Sequence, residues 1–137
     1  MSVLAHHHEL EVPPDLQIAS AGDVVVLHGD AARRLVISIH PVTALGAERW
    51  IRSTLVDAPI VETRYESWSA GPNRCRRVTI TQPALRRVVV FVEPRDGSDR
   101  WLPLVLASSD DRHDRVFETL VASARDTRSH PFAMWLD

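Results

Sequence analysis

Short β-forming runs separated by turn-forming residues dominate this chain, and that pattern restricts it to a fold built on a sheet. Each run is rich in Val, Ile, Leu or Thr and is bounded by Gly, Pro or Asp. In the clearest case, Leu35, Ile37 and Ile39 alternate with their neighbours and share one face. The predicted strands are Leu16–Ser20, Val24–His28, Arg34–His40, Ile60–Trp68, Arg74–Gln82, Arg87–Glu93 and Arg100–Ala107.

Two stretches instead have the three- and four-residue spacing of amphipathic helices. The first is predicted over Ala44–Val56, with Thr43 as its N-cap. The second is predicted over Asp111–Arg125, capped by Ser109 or Asp110. The apolar stripes consist of Ala44, Ala47, Ile51 and Leu55, and of Val116, Phe117, Leu120, Val121 and Ala124.

The order β-β-β-α-β-β-β-β-α predicts an α+β fold: an antiparallel meander covered by the two helices as an α/β/α sandwich. Pro103 lies inside the last predicted strand. Because proline cannot donate to a ladder, it predicts an edge position or a bulge there.

Residues 15–127 are predicted to form one domain, since 137 residues is a typical single-domain length. The preceding residues 1–14 are predicted to be a flexible, His-rich arm ending in Pro13 and Pro14. The tail, residues 128–137, carries three large apolar side chains, so it is predicted to dock on the body or on a partner.

Composition excludes several classes of function. The net charge of −2 argues against nucleic-acid binding, which needs a basic field. No apolar run approaches the roughly 20 residues that span a bilayer, so membrane insertion is not expected. With a single cysteine, Cys75, and no secretory signal, a cytoplasmic location is expected.

No motif for catalysis, metal or cofactor binding is recognisable, so no catalytic residue, metal site or cofactor is predicted and the chain is not expected to be an enzyme. Cys75 lies among arginines that could activate a thiol, or it is an inert, half-buried side chain. His6, His7 and His8 could bind a metal, or belong to a disordered arm without fixed ligand geometry.

Large aromatic and apolar side chains are the stronger candidates for binding, because tryptophan is enriched at interface hot spots. The alternative is that these tryptophans lie at the rim of the core. The candidate partner-binding residues are Trp50, Trp68, Trp101, Phe132, Met134 and Trp135.

Over residues 10–127 the chain resembles the PsbP/Mog-like α/β/α sandwich superfamily, nearest the actinobacterial LpqN-type branch. The opening Val12–Leu16 is similar to the superfamily's "Pro-x-Gly-Trp" entry without its tryptophan, and a strand ending at His40-Pro41 follows. Next come the helix ending at Leu55-Val56, the meander and the final helix. The lipoprotein branch carries a signal and a lipobox cysteine, which this chain lacks.

The resemblance implies a non-catalytic module that binds a protein partner, as an adaptor, assembly factor or secretion-related chaperone. A second copy of the chain, in a homodimer, is another candidate partner. One alternative is a small-ligand domain with a pocket between sheet and helix. The other is an enzyme that uses Cys75 or a histidine.

Overall fold

The structure is a computed structural model that describes residues 1–29, 35–55 and 59–129. These residues form a seven-stranded antiparallel sheet, a small three-stranded sheet and two α-helices. The strands are β1 Ser2–Ala5, β2 His8–Glu11, β3 Leu16–Ala21, β4 Val25–Gly29, β5 Leu35–Ile39, β6 Glu62–Ala70, β7 Asn73–Gln82, β8 Leu85–Val92, β9 Leu102–Ser108 and β10 Arg125–Asp126, and the helices are α1 Ala47–Thr54 and α2 Asp114–Ala122.

The large sheet has the strand order β3-β4-β5-β9-β8-β7-β6. It therefore consists of two meanders, and α1 lies in the connection between them. The second meander runs back towards the first, so that β5 pairs with β9 and Ile39 lies opposite Leu104. The α+β fold class and all seven strands are confirmed, but a single continuous meander is not the order that forms.

Each face of the large sheet is covered by one helix, which confirms the sandwich. On one face, Trp50 and Ile51 of α1 pack on a cluster that includes Val78, Val89 and Phe91. On the other face, α2 packs on the larger part of the core, together with the small sheet. The α2 residues buried there are Phe117, Leu120 and Val121.

The prediction of a flexible arm is wrong for the first twelve residues. β1 and β2 form an antiparallel hairpin whose turn is His6-His7, and both turn residues have positive φ. Val3 and Leu10 join the core on the α2 side. Alternating buried and exposed positions in both strands explain why the hairpin packs on the body instead of remaining in solvent.

Pro103 does not mark an edge or a bulge, because β9 lies in the middle of the sheet between β5 and β8. Its carbonyl accepts a hydrogen bond from the His40 N–H at 2.9 Å, one residue past the end of β5. The N–H that proline lacks would therefore have pointed to His40, where the pairing with β5 ends. Pro103 thus costs the sheet at most one hydrogen bond.

Both helices start later than the sequence indicates. α1 begins at Ala47, and the Thr43 hydroxyl accepts from the Leu45 N–H in the preceding turn. α2 follows a 3-10 turn at Asp111–His113, which Asp110 caps through the Arg112 N–H at 2.9 Å. Asp110, one of the two predicted caps, thus caps the 3-10 turn that leads into α2, whereas the predicted Thr43 cap of α1 is wrong.

No helix in the described part of the chain is long and apolar enough to cross a bilayer. Most of the predicted docking tail, residues 130–137, lies outside the described residues.

Candidate binding surface

A solvent-open groove lies on the α1 face of the sheet, beside α1. The pairing of β6 with β7 brings the polar residues of this groove together, because Ser67 lies opposite Arg76 and Ser69 lies opposite Arg74. Directly opposed residues of antiparallel strands point to the same face. This surface is called the Arg–Trp groove, and it is formed by Ser67, Ser69, Arg74, Arg76, Glu93 and Trp101. Trp68 and Cys75 also border it, but their side chains pack into the core on the other face of the sheet.

Trp101 forms one wall of the Arg–Trp groove and is held firmly. Its backbone exchanges two hydrogen bonds of 2.9 Å with Thr43, which fixes the residue just before β9. The half-buried indole ring lies under the Arg76 guanidinium, with 6.0 Å from the guanidinium carbon to the ring centroid. This cation–π contact holds an exposed charge in a defined position.

In the described part of the chain, the two arginines share the groove with one carboxylate, that of Glu93, but are not ion-paired with it. Neither Arg74 nor Arg76 forms an ion pair there. On the opposite face of the same strand, by contrast, Arg77 bonds Glu66 at 2.7 Å. Unpaired, positioned guanidinium groups suit carboxylates or phosphates, which they bind through two parallel hydrogen bonds.

Shape favours an extended ligand in the Arg–Trp groove over an enclosed small molecule. The groove has a volume of about 700 Å³ and borders a second depression that shares Arg74 and Glu93. The second depression also includes Asn73, Arg95 and the β8–β9 loop. Hydroxyls, guanidinium groups, one carboxylate and one indole offer both hydrogen bonds and a flat apolar surface.

The three candidate tryptophans that the structure describes lie in different surroundings. Trp50 is only 5% exposed and packs between α1 and the sheet, edge-on to His40 at 5.1 Å and to Phe91 at 5.5 Å. Trp68 packs against the core on the α2 face, with Arg77 over its ring at 5.3 Å. The ring of Trp101 alone among these three lies in the Arg–Trp groove. The tail candidates Phe132, Met134 and Trp135 lie outside the described residues.

In the described part of the chain, side chains of α1 and the sheet pack directly against each other, at one of the places where a pocket between sheet and helix was an alternative. Trp50 and Ile51 are buried there against Val78, Ile80 and Val105. A ligand would have to displace close-packed core atoms to enter this space.

Cys75 is buried on the α2 face, and its Sγ donates to the Asn73 carbonyl at 3.7 Å. Its arginine neighbours Arg74 and Arg76 point to the opposite face. Burial raises the pKa of the Cys75 thiol to about 12, so the thiolate that a nucleophile needs is scarce at neutral pH.

We therefore expect Cys75 in the folded protein to react with iodoacetamide at pH 7.5 roughly a thousand times more slowly than an exposed thiol, because the thiolate fraction falls with the raised pKa. The rate is measured by mass spectrometry, with the protein unfolded in guanidinium as the control. Labelling of the native protein at the unfolded rate would contradict this account of the thiol.

A serine and a histidine also meet, at the entry to α2. Ser108 Oγ lies 2.6 Å from His113 Nδ1, but it donates its one proton to the Asp110 carbonyl at 2.9 Å. The imidazole must then donate to Ser108, which is the reverse of nucleophile activation. Since Ser108 is 1% exposed, the pair shapes the turn before α2.

The three adjacent histidines do not converge. His6 Nε2 contacts the Asp23 carbonyl at 2.5 Å, His7 is exposed, and His8 is buried with its Nδ1 2.9 Å from the His6 carbonyl. Burial lowers the pKa of His8. In residues 1–29, 35–55 and 59–129, no group of three His, Cys, Asp or Glu side chains is placed to hold a metal ion.

No family model and no curated protein matches the chain. Among solved structures it is similar to the solution structure of cyanobacterial PsbP (CyanoP) from Synechocystis sp. PCC 6803, with a TM-score of 0.53 and 11% sequence identity. The similarity covers 92% of this chain and 91% of that chain. This protein has a PsbP-like fold. At this level of identity the likeness to CyanoP concerns the fold and not the site, so the PsbP-like part of the sequence resemblance is confirmed and the LpqN-type branch is not.

Proposed function

We propose that the protein is a non-catalytic binding module that holds a protein partner through the Arg–Trp groove. The observation that carries this proposal is the Arg76 guanidinium lying over the Trp101 ring, without an ion pair in the described residues. Arginine and tryptophan are the side chains most enriched at binding hot spots. A pre-positioned pair loses little conformational entropy when a partner binds.

The partner that fits is an extended segment with carboxylates and at least one apolar side chain. Carboxylates would pair with Arg74 and Arg76, and an apolar group would lie on the indole of Trp101. The hydroxyls of Ser67 and Ser69 would bond to the backbone of that segment. An open polar groove at the end of a sheet suits such a chain better than it suits an enclosed metabolite.

The biological setting is part of the same proposal. The sequence resemblance to the PsbP/Mog-like superfamily supports an adaptor, assembly factor or secretion-related chaperone, and the single cysteine favours the cytoplasm. The raised pKa of Cys75 and the reversed Ser108–His113 hydrogen bond support binding over chemistry at those residues.

Capture from a lysate of the source organism tests the proposal. The wild type is compared with Arg74→Glu/Arg76→Glu, and with the matched control Arg49→Glu/Arg115→Glu, which reverses two exposed arginines on the helices. We expect a partner that the wild type and the control capture equally, and that the groove variant captures at least about tenfold less, since two charge-assisted contacts become repulsive.

Thermal unfolding of all three proteins shows that a loss of capture is not a loss of folding. Equal capture by the groove variant and the control would overturn the assignment of the Arg–Trp groove.

A further inference from the structure

We propose that two copies of this chain associate through strand β6, antiparallel and centred on Tyr65, so that their large sheets become one. β6 is the edge strand of the large sheet, and no described strand lies beyond it. It spans nine residues, Glu62–Ala70, which is long for an uncovered edge. This inference concerns the backbone edge of β6, which meets the Arg–Trp groove at Ser67, and it does not depend on the proposed function.

The hydrogen-bonding direction along β6 follows from its neighbours. The Arg74 carbonyl accepts from the Glu93 N–H on the β8 side of β7. The N–H and C=O groups of successive residues alternate in direction along a strand. Those of Cys75 therefore point towards β6, and those of Trp68, the residue opposite Cys75, point towards β7. Thr63, Tyr65 and Ser67 therefore point their N–H and C=O groups outwards, towards the open edge.

Side-chain charge selects the register. With the two-fold axis at Tyr65, Arg64 of each copy lies opposite Glu66 of the other, on the same face. An axis at Arg64 or at Glu66 would instead place like charges directly opposite, which is destabilising. An axis at Thr63 also joins opposite charges, but it pairs only residues 62–64 of β6. An axis at Ser67 pairs residues 64–70 but joins no opposite charges, whereas the Tyr65 axis pairs residues 62–68 and joins Arg64 to Glu66.

Both charged groups are available for this contact. Arg64 is exposed and has no ion pair within the described residues. Glu66 bonds Arg77 through Oε1 only, at 3.0 Å from Nε and 2.7 Å from Nη2, which leaves Oε2 for the second copy's Arg64. Tyr65 is 48% exposed and would meet its own copy across the axis, on the other face.

Sedimentation velocity over a range of protein concentrations tests the pairing. The wild type is expected to form a dimer that dissociates on dilution. Arg64→Glu should raise the dissociation constant about tenfold or more, because two attractive pairs become repulsive. Tyr65→Pro should abolish the dimer, since it removes only an outward N–H and leaves the β6–β7 ladder intact. Arg115→Glu, the same charge reversal on α2, should leave the dimer unchanged.

Oxidative cross-linking then reports the register. In the Tyr65-centred dimer the two Tyr65 Cα atoms form a hydrogen-bonded pair about 5.5 Å apart, a separation that a disulfide spans. Tyr65→Cys should therefore cross-link efficiently and Thr63→Cys poorly. A wild type that is monomeric at every concentration, or efficient cross-linking through position 63 and not 65, would overturn the proposal. Thermal unfolding confirms that each variant is folded.

Discussion

Replacing Trp50 with alanine is expected to lower the free energy of unfolding by about 3–5 kcal/mol, the usual cost of emptying a buried aromatic site. The helix α1 has only eight residues and buries only Trp50 and Ile51. The indole also makes edge-on contacts with His40 and Phe91. Loss of the ring would therefore leave a cavity and detach most of what holds α1 to the sheet. Urea unfolding followed by circular dichroism measures the loss.

Trp50→Phe is the matched control, because it keeps an aromatic ring at the site and should cost much less than the alanine variant. This pair of variants also decides the role of Trp50. If Trp50→Ala were as stable as the wild type but lost its partner, then Trp50 would be a binding residue and its packing role would be wrong.

Replacing Asn73 with alanine is expected to cost about 2–3 kcal/mol, since it removes the side-chain donor from the buried Ala124 carbonyl and leaves the Val121 carbonyl with only the Ala124 N–H. Asn73 is 5% exposed, and its amide donates to the carbonyls of Val121 at 2.8 Å and Ala124 at 2.9 Å. The last carbonyls of a helix have no partner within the helix. Asn73, the first residue of β7, thus caps the C-terminal end of α2.

Asn73→Asp sharpens this test because it preserves the size of the side chain while removing both donors. A carboxylate would also face the negative end of the α2 dipole, so this variant should be at least as destabilised as the alanine variant. Arg74→Ala, one residue along and exposed, serves as the control and should change stability by less than about 0.5 kcal/mol. An Asn73→Ala variant as stable as this control would contradict the capping role.

Local periodicity was enough to predict the strands, because the alternation of side chains between the two faces of a strand is visible in neighbouring residues. Leu35, Ile37 and Ile39 show it plainly. The order of strands was not predictable in the same way, since pairing of β5 with β9 joins residues about seventy positions apart. The same long-range contact explains Pro103, which is harmless in a central strand only because β5 ends beside it.

The Arg–Trp groove was also only partly predictable from the sequence. Alternation in β7 places Arg74 and Arg76 on one face and Cys75 on the other, so the sequence contained the signal that the arginines act away from the thiol. Their meeting with Ser67, Ser69 and Trp101 needed the β6–β7 register and the position of β9. Trp50 was predicted as a partner-binding residue, with the rim of the core as the alternative, but tertiary packing buries it in the contact between α1 and the sheet.

Site-specific photo-cross-linking tests the central claim most directly. A photoreactive amino acid replaces Glu93 in the Arg–Trp groove, or Glu118 on the exposed side of α2 as the matched control, and cells of the source organism are irradiated. The account predicts one discrete protein adduct from position 93, which Arg74→Glu/Arg76→Glu abolishes, and none from position 118. No adduct from position 93, or equal adducts from both positions, would contradict the claim that this groove binds a protein partner.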